Sequence, residues 1–98
     1  MTRRISLSVN NAPIDLDYFV QGFIDHTVVG MVSGLEGVGE PNEITIEING
    51  EDVGINVNSN PVPLNEFVVS MVINTLRGMV SSLKGGEKAE KIQIGIQR

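Results

Sequence analysis

Hydrophobic residues recur along the chain with two different periods, and each change of period marks a secondary-structure element. In 5–9, isoleucine, leucine and valine alternate with serine, a period of two that is typical of a half-buried strand. Segment 16–35 instead carries apolar residues at helical spacing. The isoleucines of 44–48 alternate with polar residues again. The pattern therefore predicts a strand, an amphipathic helix and a second strand in the first half of the chain.

The second half of the chain repeats this pattern 48 residues later without a gap. When 5–50 is placed over 53–98, 16 of the 46 aligned pairs are identical. Two units are too few for a solenoid, which needs about three repeats to bury a continuous core. We therefore expect one closed domain, 1–98, in which the pseudo-twofold repeats are 5–50 and 53–98.

The junction between the two repeats predicts how they are joined. Asn49 and Gly50 lie between two alternating segments, and an Asn-Gly pair in that position is a strong hairpin signal. Two strand-helix-strand units joined by a hairpin give the β-α-β-β-α-β order of ferredoxin-like folds. The prediction is thus an α+β two-layer sandwich, a four-stranded antiparallel sheet with two helices on one face. Exchange of the second unit between two chains is the alternative.

Segments that follow the first strand of each repeat are expected to leave the sheet. Pro13 and Pro61 lack the amide donor that a sheet ladder needs, so both are predicted in unpaired turns. Asp15 is the predicted N-cap of the first helix. Gly37 and Gly85 are the predicted helix ends, because glycine readily adopts the conformation that terminates a helix.

The composition limits which cellular environments and which classes of partner the chain is expected to have. The 98 residues contain no cysteine, which excludes disulfides and thiolate chemistry and favours a cytoplasmic location. No run approaches the roughly 20 apolar residues of a membrane span, so no membrane association is expected. The net charge of −5 disfavours nucleic acid as a partner. The outer sheet face should also lack aromatic residues, so it offers no stacking platform for RNA bases and is predicted to be solvated or to mediate sheet-to-sheet dimerisation.

Small and polar residues follow one line on each predicted helix, beside the apolar stripe. A glycine inside a helix costs about 1 kcal/mol relative to alanine, so repeated glycines on one line indicate close approach of another backbone. The two helices could cross each other there, or could meet the helices of another chain. Extra apolar residues widen the stripe, and we therefore expect a homo-oligomer. The interface candidates are Gly22, His26, Gly30, Gly34, Ser70, Asn74, Gly78, Ser82, Val69 and Ile73.

The residues offer little catalytic or cofactor chemistry. His26 is the only histidine, and Val29 and Gly30 occupy the positions where a second metal ligand on the same helix would lie. Asp25 points about 100° away from His26 on a helix and cannot orient it well. No nucleotide-binding or nucleophile motif is present, so no catalytic residue, metal or cofactor is predicted.

The asparagine-rich turns give a second candidate site. Each precedes a helix N-terminus, where exposed amides can hold a carboxylate or phosphate, although a purely structural turn is the competing interpretation. The ligand-binding candidates are Asn10, Asn11, Asn58, Asn60 and His26.

Taken together, these patterns favour a non-enzymatic, self-associating binding or scaffold domain. The alternatives are a regulatory module that binds a small molecule, for example an anion, and an oligomeric enzyme with a site at a subunit interface near His26. Whether the protein is an enzyme stays open, with the balance of the residues against it.

Overall fold

The computed structural model describes residues 4–35 and 39–98, which form an α+β fold of two helices and one six-stranded antiparallel sheet. Each element of the first half has a counterpart whose bounds lie 48 residues later. The elements in chain order are β1 (Arg4–Val9), β2 (Ala12–Pro13), α1 (Tyr18–Ser33), β3 (Glu43–Asn49), β4 (Asp52–Val57), β5 (Asn60–Pro61), α2 (Glu66–Ser81) and β6 (Lys91–Gln97).

The sheet has the strand order β2-β1-β6-β3-β4-β5. The closing strands of the two repeats, β3 and β6, lie at the centre and pair with each other, with Ile46 opposite Ile94. The prediction of a four-stranded ferredoxin-like sheet is therefore wrong. There are two additional short strands, and β6 lies between β1 and β3, the place that the strand after the central hairpin occupies in the ferredoxin-like plan.

The two extra strands exist because the asparagine-rich turns are tight hairpins. Asn10 and Asn11 both have positive φ angles, 51° and 69°, and Asn58 and Ser59 repeat this with 52° and 66°. Two consecutive residues of this kind reverse a strand within two residues. Pro13 then pairs opposite strand β1 at the edge of the sheet, where no further neighbour needs its missing amide. The prediction that the prolines end strand pairing overlooked this edge position.

The same asparagines hold two of the strand pairs together. The Asn10 carboxamide oxygen accepts from the backbone amides of Glu90 and Lys91, at 3.0 Å each, and its nitrogen donates to the Lys88 carbonyl at 3.3 Å. These bonds hold the end of β1 against the start of β6. Asn58 makes the equivalent bonds to the segment before β3. These bonds support the pairs β1–β6 and β3–β4, which the ferredoxin-like order also contains; the observed order differs from it in the central pair, β3–β6.

One hydrophobic core lies between the sheet and the two helices. The inward residues of the four long strands are buried, and both helices contribute to the same cluster, so both pack on one face of the sheet. The alternate strand residues, such as Thr45 and Asn56, are exposed on the opposite face. The buried apolar helix positions are Ile24, Val28 and Val32 in α1 and Val72, Leu76 and Val80 in α2.

Both helices are shorter than the sequence pattern predicts. Asp17, rather than Asp15, is the N-cap of α1, and its carboxylate accepts from the amide of Val20 at 2.8 Å. Helix α2 ends at Ser81, four residues before Gly85. Gly37 lies outside the described residues. Strands β3 and β4 form the predicted hairpin, with Asn49 opposite Asp52. Within 4–35 and 39–98, no helix has both the length and the apolar character that crossing a membrane requires.

Candidate interaction face

The outer surface of the two helices carries the chain's aromatic residues in exposed positions. Tyr18 is 82% exposed, Phe19 74%, Phe23 56% and Phe67 72%. Phe19 and Phe23 lie one helical turn apart with ring centroids separated by 6.1 Å. The three phenylalanines belong to the apolar stripes at helical spacing, but unlike Ile24, Val28 and Val32 they are exposed. Because a helix buries only one stripe against a single sheet, a broader apolar stripe leaves its far side in solvent.

We call this surface the helical face and define it by the exposed residues of α1 and α2. It is nearly free of charge. Within α1 and α2 the charged side chains are Asp25, Glu66 and Arg77, and of these only Glu66, at the start of α2, is exposed. Asp25 is fully buried, and Arg77 is partly buried and donates to the Gly50 carbonyl. The exposed residues are Tyr18, Phe19, Phe23, His26, Gly30 and Ser33 in α1 and Glu66, Phe67, Ser70, Asn74, Thr75, Gly78 and Ser81 in α2.

A groove of about 390 Å³ runs between the two helices and opens onto the helical face. It joins the N-terminal half of α1 to the C-terminal half of α2, so the helices are antiparallel. Its walls are almost entirely apolar, and hydroxyl groups of Thr27, Thr75 and Ser82 are the polar exceptions. The apolar lining residues are Phe19, Val20, Phe23, Ile24, Met79 and Leu83.

The line of small residues lies on the helical face but does not bring the two helices of one chain together. A Cβ atom built on Gly30 or Gly78 would meet no atom within 4 Å, and on Gly34 it would meet only the Met31 carbonyl of its own helix. The interpretation that the helices cross at this line is therefore wrong. Gly22, His26 and Tyr18 line a shallow depression on α1.

The apolar interface candidates Val69 and Ile73 lie at the side of α2. Val69 and Ile73 are partly buried and line a second depression with Ser70, Asn74 and Arg77. This depression faces the β3–β4 hairpin through Glu51. Ser82 is the C-cap of α2, and its hydroxyl donates back to the Gly78 carbonyl at 3.3 Å.

Asp25 has a structural partner that the sequence did not indicate. Its carboxylate is fully buried and accepts from the guanidinium of Arg98 at 2.9 Å, while the Arg98 side chain stays 33% exposed. His26, the next residue, is exposed on the helical face. The two neighbours therefore lie in different environments and do not converge on one site. The separation of 73 residues between Asp25 and Arg98 leaves no local signal from which the pair could have been found.

The four asparagine candidates lie in or beside the tight hairpins. Asn10 and Asn58 use their carboxamides to hold the segments before β6 and β3. Asn60 donates to the Asn58 carbonyl at 3.1 Å, and Asn11 is exposed at the second turn position. Their geometry is accounted for by the turns themselves, and nothing in it adds support for an anion site.

Two general comparisons complete the description. In the part of the chain that the structure describes, no three histidine, aspartate or glutamate side chains converge as a group that could hold a metal ion. Comparison with protein-family models, curated proteins and solved structures finds no match for this chain.

Proposed function

We propose that this chain is a non-enzymatic domain that associates with itself through the helical face. The observation that carries the proposal is the exposure of Tyr18, Phe19, Phe23 and Phe67 on one surface. Aromatic side chains are enriched in the cores of protein interfaces, and large exposed apolar patches on a folded domain usually mark an interaction site.

The exposed area supports this assignment. Taking about 200 Å² for a fully exposed aromatic side chain, the four rings leave on the order of 550 Å² of aromatic surface in solvent. Because the helices are antiparallel, this area is divided between the rings near the start of α1 and Phe67 at the opposite end of the helix pair. A standard stable interface buries about 800 Å² on each partner, so the rings alone supply roughly two thirds of the required area.

The helical face carries little of the charge by which two copies of this chain repel each other. Each chain carries a net charge of −5, and two such chains repel each other over most of their surface. On the helical face this repulsion is weak, because Glu66 is the one exposed charged side chain of the two helices. A surface with so little charge also disfavours a strongly charged partner, which would lose hydration without gaining an opposite charge.

The comparison of two surfaces tests the proposal. We expect Phe19→Lys and Phe67→Lys, which place charges on the helical face, to abolish self-association in sedimentation equilibrium. Thr45→Lys and Asn56→Lys are the matched controls, because they add the same charge on the exposed outer face of the sheet. Association that survives the helical-face variants but is lost in the sheet-face variants would overturn the proposal in favour of sheet-to-sheet contact.

A second candidate function rests on the interhelical groove. A volume of about 390 Å³ and an apolar lining with a few hydroxyl groups suit an uncharged, mainly aliphatic small molecule. The test is isothermal titration calorimetry with 1-decanol. Binding that is lost in Val20→Gln, a substitution in the groove wall, supports this function. The absence of heat at the solubility limit of the alcohol argues against it.

The enzyme alternative near His26 has less support, because the adjacent carboxylate of Asp25 is buried and paired with Arg98. We further propose a cytoplasmic location, which the absence of cysteine favours. The equal spacing of all element bounds supports the further proposal that the chain arose by internal duplication.

A further inference from the structure

We infer that the self-associated form is a closed twofold dimer, in which the phenylalanine rings of one copy pack onto the small-residue positions of the same helix in the other copy. This inference rests on the proposed self-association and adds the stoichiometry and the residues that face each other. It begins from the arrangement of rings and glycines along each helix.

Each helix carries its rings and its small residues on opposite sides of a common midpoint. Thr27 and Thr75 line the groove together and mark the middle of the helix pair. At 1.5 Å per residue, Phe19 lies about 12 Å from Thr27 towards one end of α1, and Gly34 lies about 10 Å from it towards the other. Helix α2 repeats the order, with Phe67 about 12 Å from Thr75 and Ser82 about 10 Å from it on the other side.

The inner positions match in the same way. Phe23 lies about 6 Å from the midpoint of α1, and Gly30 lies about 4.5 Å from it on the opposite side. Helix α2 has Gly78 at the place of Gly30 but no second phenylalanine. Rings and small residues therefore stand at nearly equal distances from the centre in both helices.

We place a twofold axis in the plane of the helical face, perpendicular to the helices. With this axis, the equal spacing brings each ring over a small residue of the second copy. The axis stacks α1 on the α1 of the second copy in the opposite direction, which carries Phe19 over Gly34 and Phe23 over Gly30. It likewise stacks α2 on α2 and carries Phe67 over Ser82. The contact is self-complementary, so it closes at two subunits rather than growing into a filament.

Local packing agrees with this use of the glycines. Gly30 and Gly78 lie on an exposed surface where a side chain would meet no atom of the same chain within 4 Å. Since the fold of one chain does not need glycine there, a partner that occupies the space above them accounts for the missing side chains. Helix α1 offers two glycines beside two rings, which favours stacking each helix on its own counterpart over stacking α1 on α2.

The decisive variants are Gly30→Leu and Gly78→Leu. Both side chains project into open space in one chain, so the midpoint of thermal unfolding measured on the dissociated protein should stay unchanged or rise by a few degrees. The dimer dissociation constant should increase at least tenfold. Gly54→Leu is the matched control, because Gly54 is exposed on the sheet with nothing within 4 Å, and its dissociation constant should match the unmodified chain.

A cross-link gives an independent measurement. The chain contains no cysteine, so a single introduced thiol reports only on its own position. Asn74 is exposed on the helical face one residue from the midpoint of α2, where the proposed axis brings it close to the same residue of the partner. Asn74→Cys should form a disulfide-linked dimer on mild oxidation, and Gln93→Cys on the sheet should not.

The outcomes separate this inference from the proposed function. If the unmodified chain stays monomeric up to near-millimolar concentration, the proposed self-association fails and the dimer fails with it. If the chain associates and Phe67→Lys disrupts the association, but the glycine variants bind as tightly as the unmodified chain, the ring-over-glycine contact alone is overturned. A mass that keeps rising beyond two subunits would also overturn the closed dimer.

Discussion

We expect the ion pair between Asp25 and Arg98 to stabilise the folded chain. Arg98 follows the last strand and reaches back to helix α1, where Asp25 is fully buried. Arg98→Ala removes the cation but retains the backbone hydrogen bond from the Arg98 amide to the Asn42 carbonyl. The buried carboxylate then loses its ion-pair partner.

The expected loss follows from the exposure of the two partners. Breaking a fully buried ion pair costs about 3–5 kcal/mol. Here the guanidinium is 33% exposed, so water already reaches the arginine and can partly replace it after the substitution. We therefore expect the free energy of unfolding to fall by about 2 kcal/mol. For a domain of this length that corresponds to a decrease of about 10 °C in the unfolding midpoint.

The second repeat suggests the compensating variant. Ile73 occupies the place of Asp25 in the 48-residue alignment, so an apolar side chain is accepted at the equivalent helix position. We expect Asp25→Ile combined with Arg98→Ala to recover most of the stability, since replacing a buried ion pair with packed apolar groups is often neutral or stabilising.

The assay is thermal and urea unfolding of all variants at one protein concentration, because self-association would otherwise change the apparent stability. Two results would refute the reasoning. The first is an Arg98→Ala midpoint equal to that of the unmodified chain. The second is a double variant that is no more stable than Arg98→Ala alone.

In two further pairs of substitutions the two members are expected to change stability differently. Ser59→Gly should raise the free energy of unfolding by about 0.5–1 kcal/mol, because serine is held at a φ of 66° that glycine adopts freely. Asn58→Ala should lower it by about 2 kcal/mol, because the side-chain hydrogen bonds to the segment before β3 are lost. Gly86→Ala should cost about 2 kcal/mol or more, since the new Cβ would lie 1.9 Å from the Val80 carbonyl oxygen, while Gly39→Ala should leave stability unchanged because nothing lies within 4 Å. Urea unfolding measures both pairs, and equal effects of the two members of either pair would contradict the assigned packing.

The order and type of the long elements were predictable from the sequence, because hydrophobic periodicity reports directly on strands and helices. The alternating isoleucines of β3 and β6 are fully buried as their pattern indicated. Strand order was not predictable in the same way. The observed order differs from the predicted one in the central pair β3–β6, and the alternating isoleucines of those two strands do not specify which strand each one pairs with.

The candidate site was only partly within reach of the sequence. The line of small residues on the helices could be recognised from spacing, but the exposure of Phe19 and Phe67 could not. An apolar residue at helical spacing has the same signal whether it faces the sheet or a second protein surface. Only the width of the stripe, broader than one sheet can cover, hinted that part of it would remain in solvent.

Sedimentation equilibrium of the unmodified chain, from low micromolar to near-millimolar concentration, tests the central claim most directly. The account predicts a concentration-dependent rise in mass that levels off at twice the 10.6 kDa of one chain. A mass that stays at 10.6 kDa over the whole range would contradict self-association through the helical face.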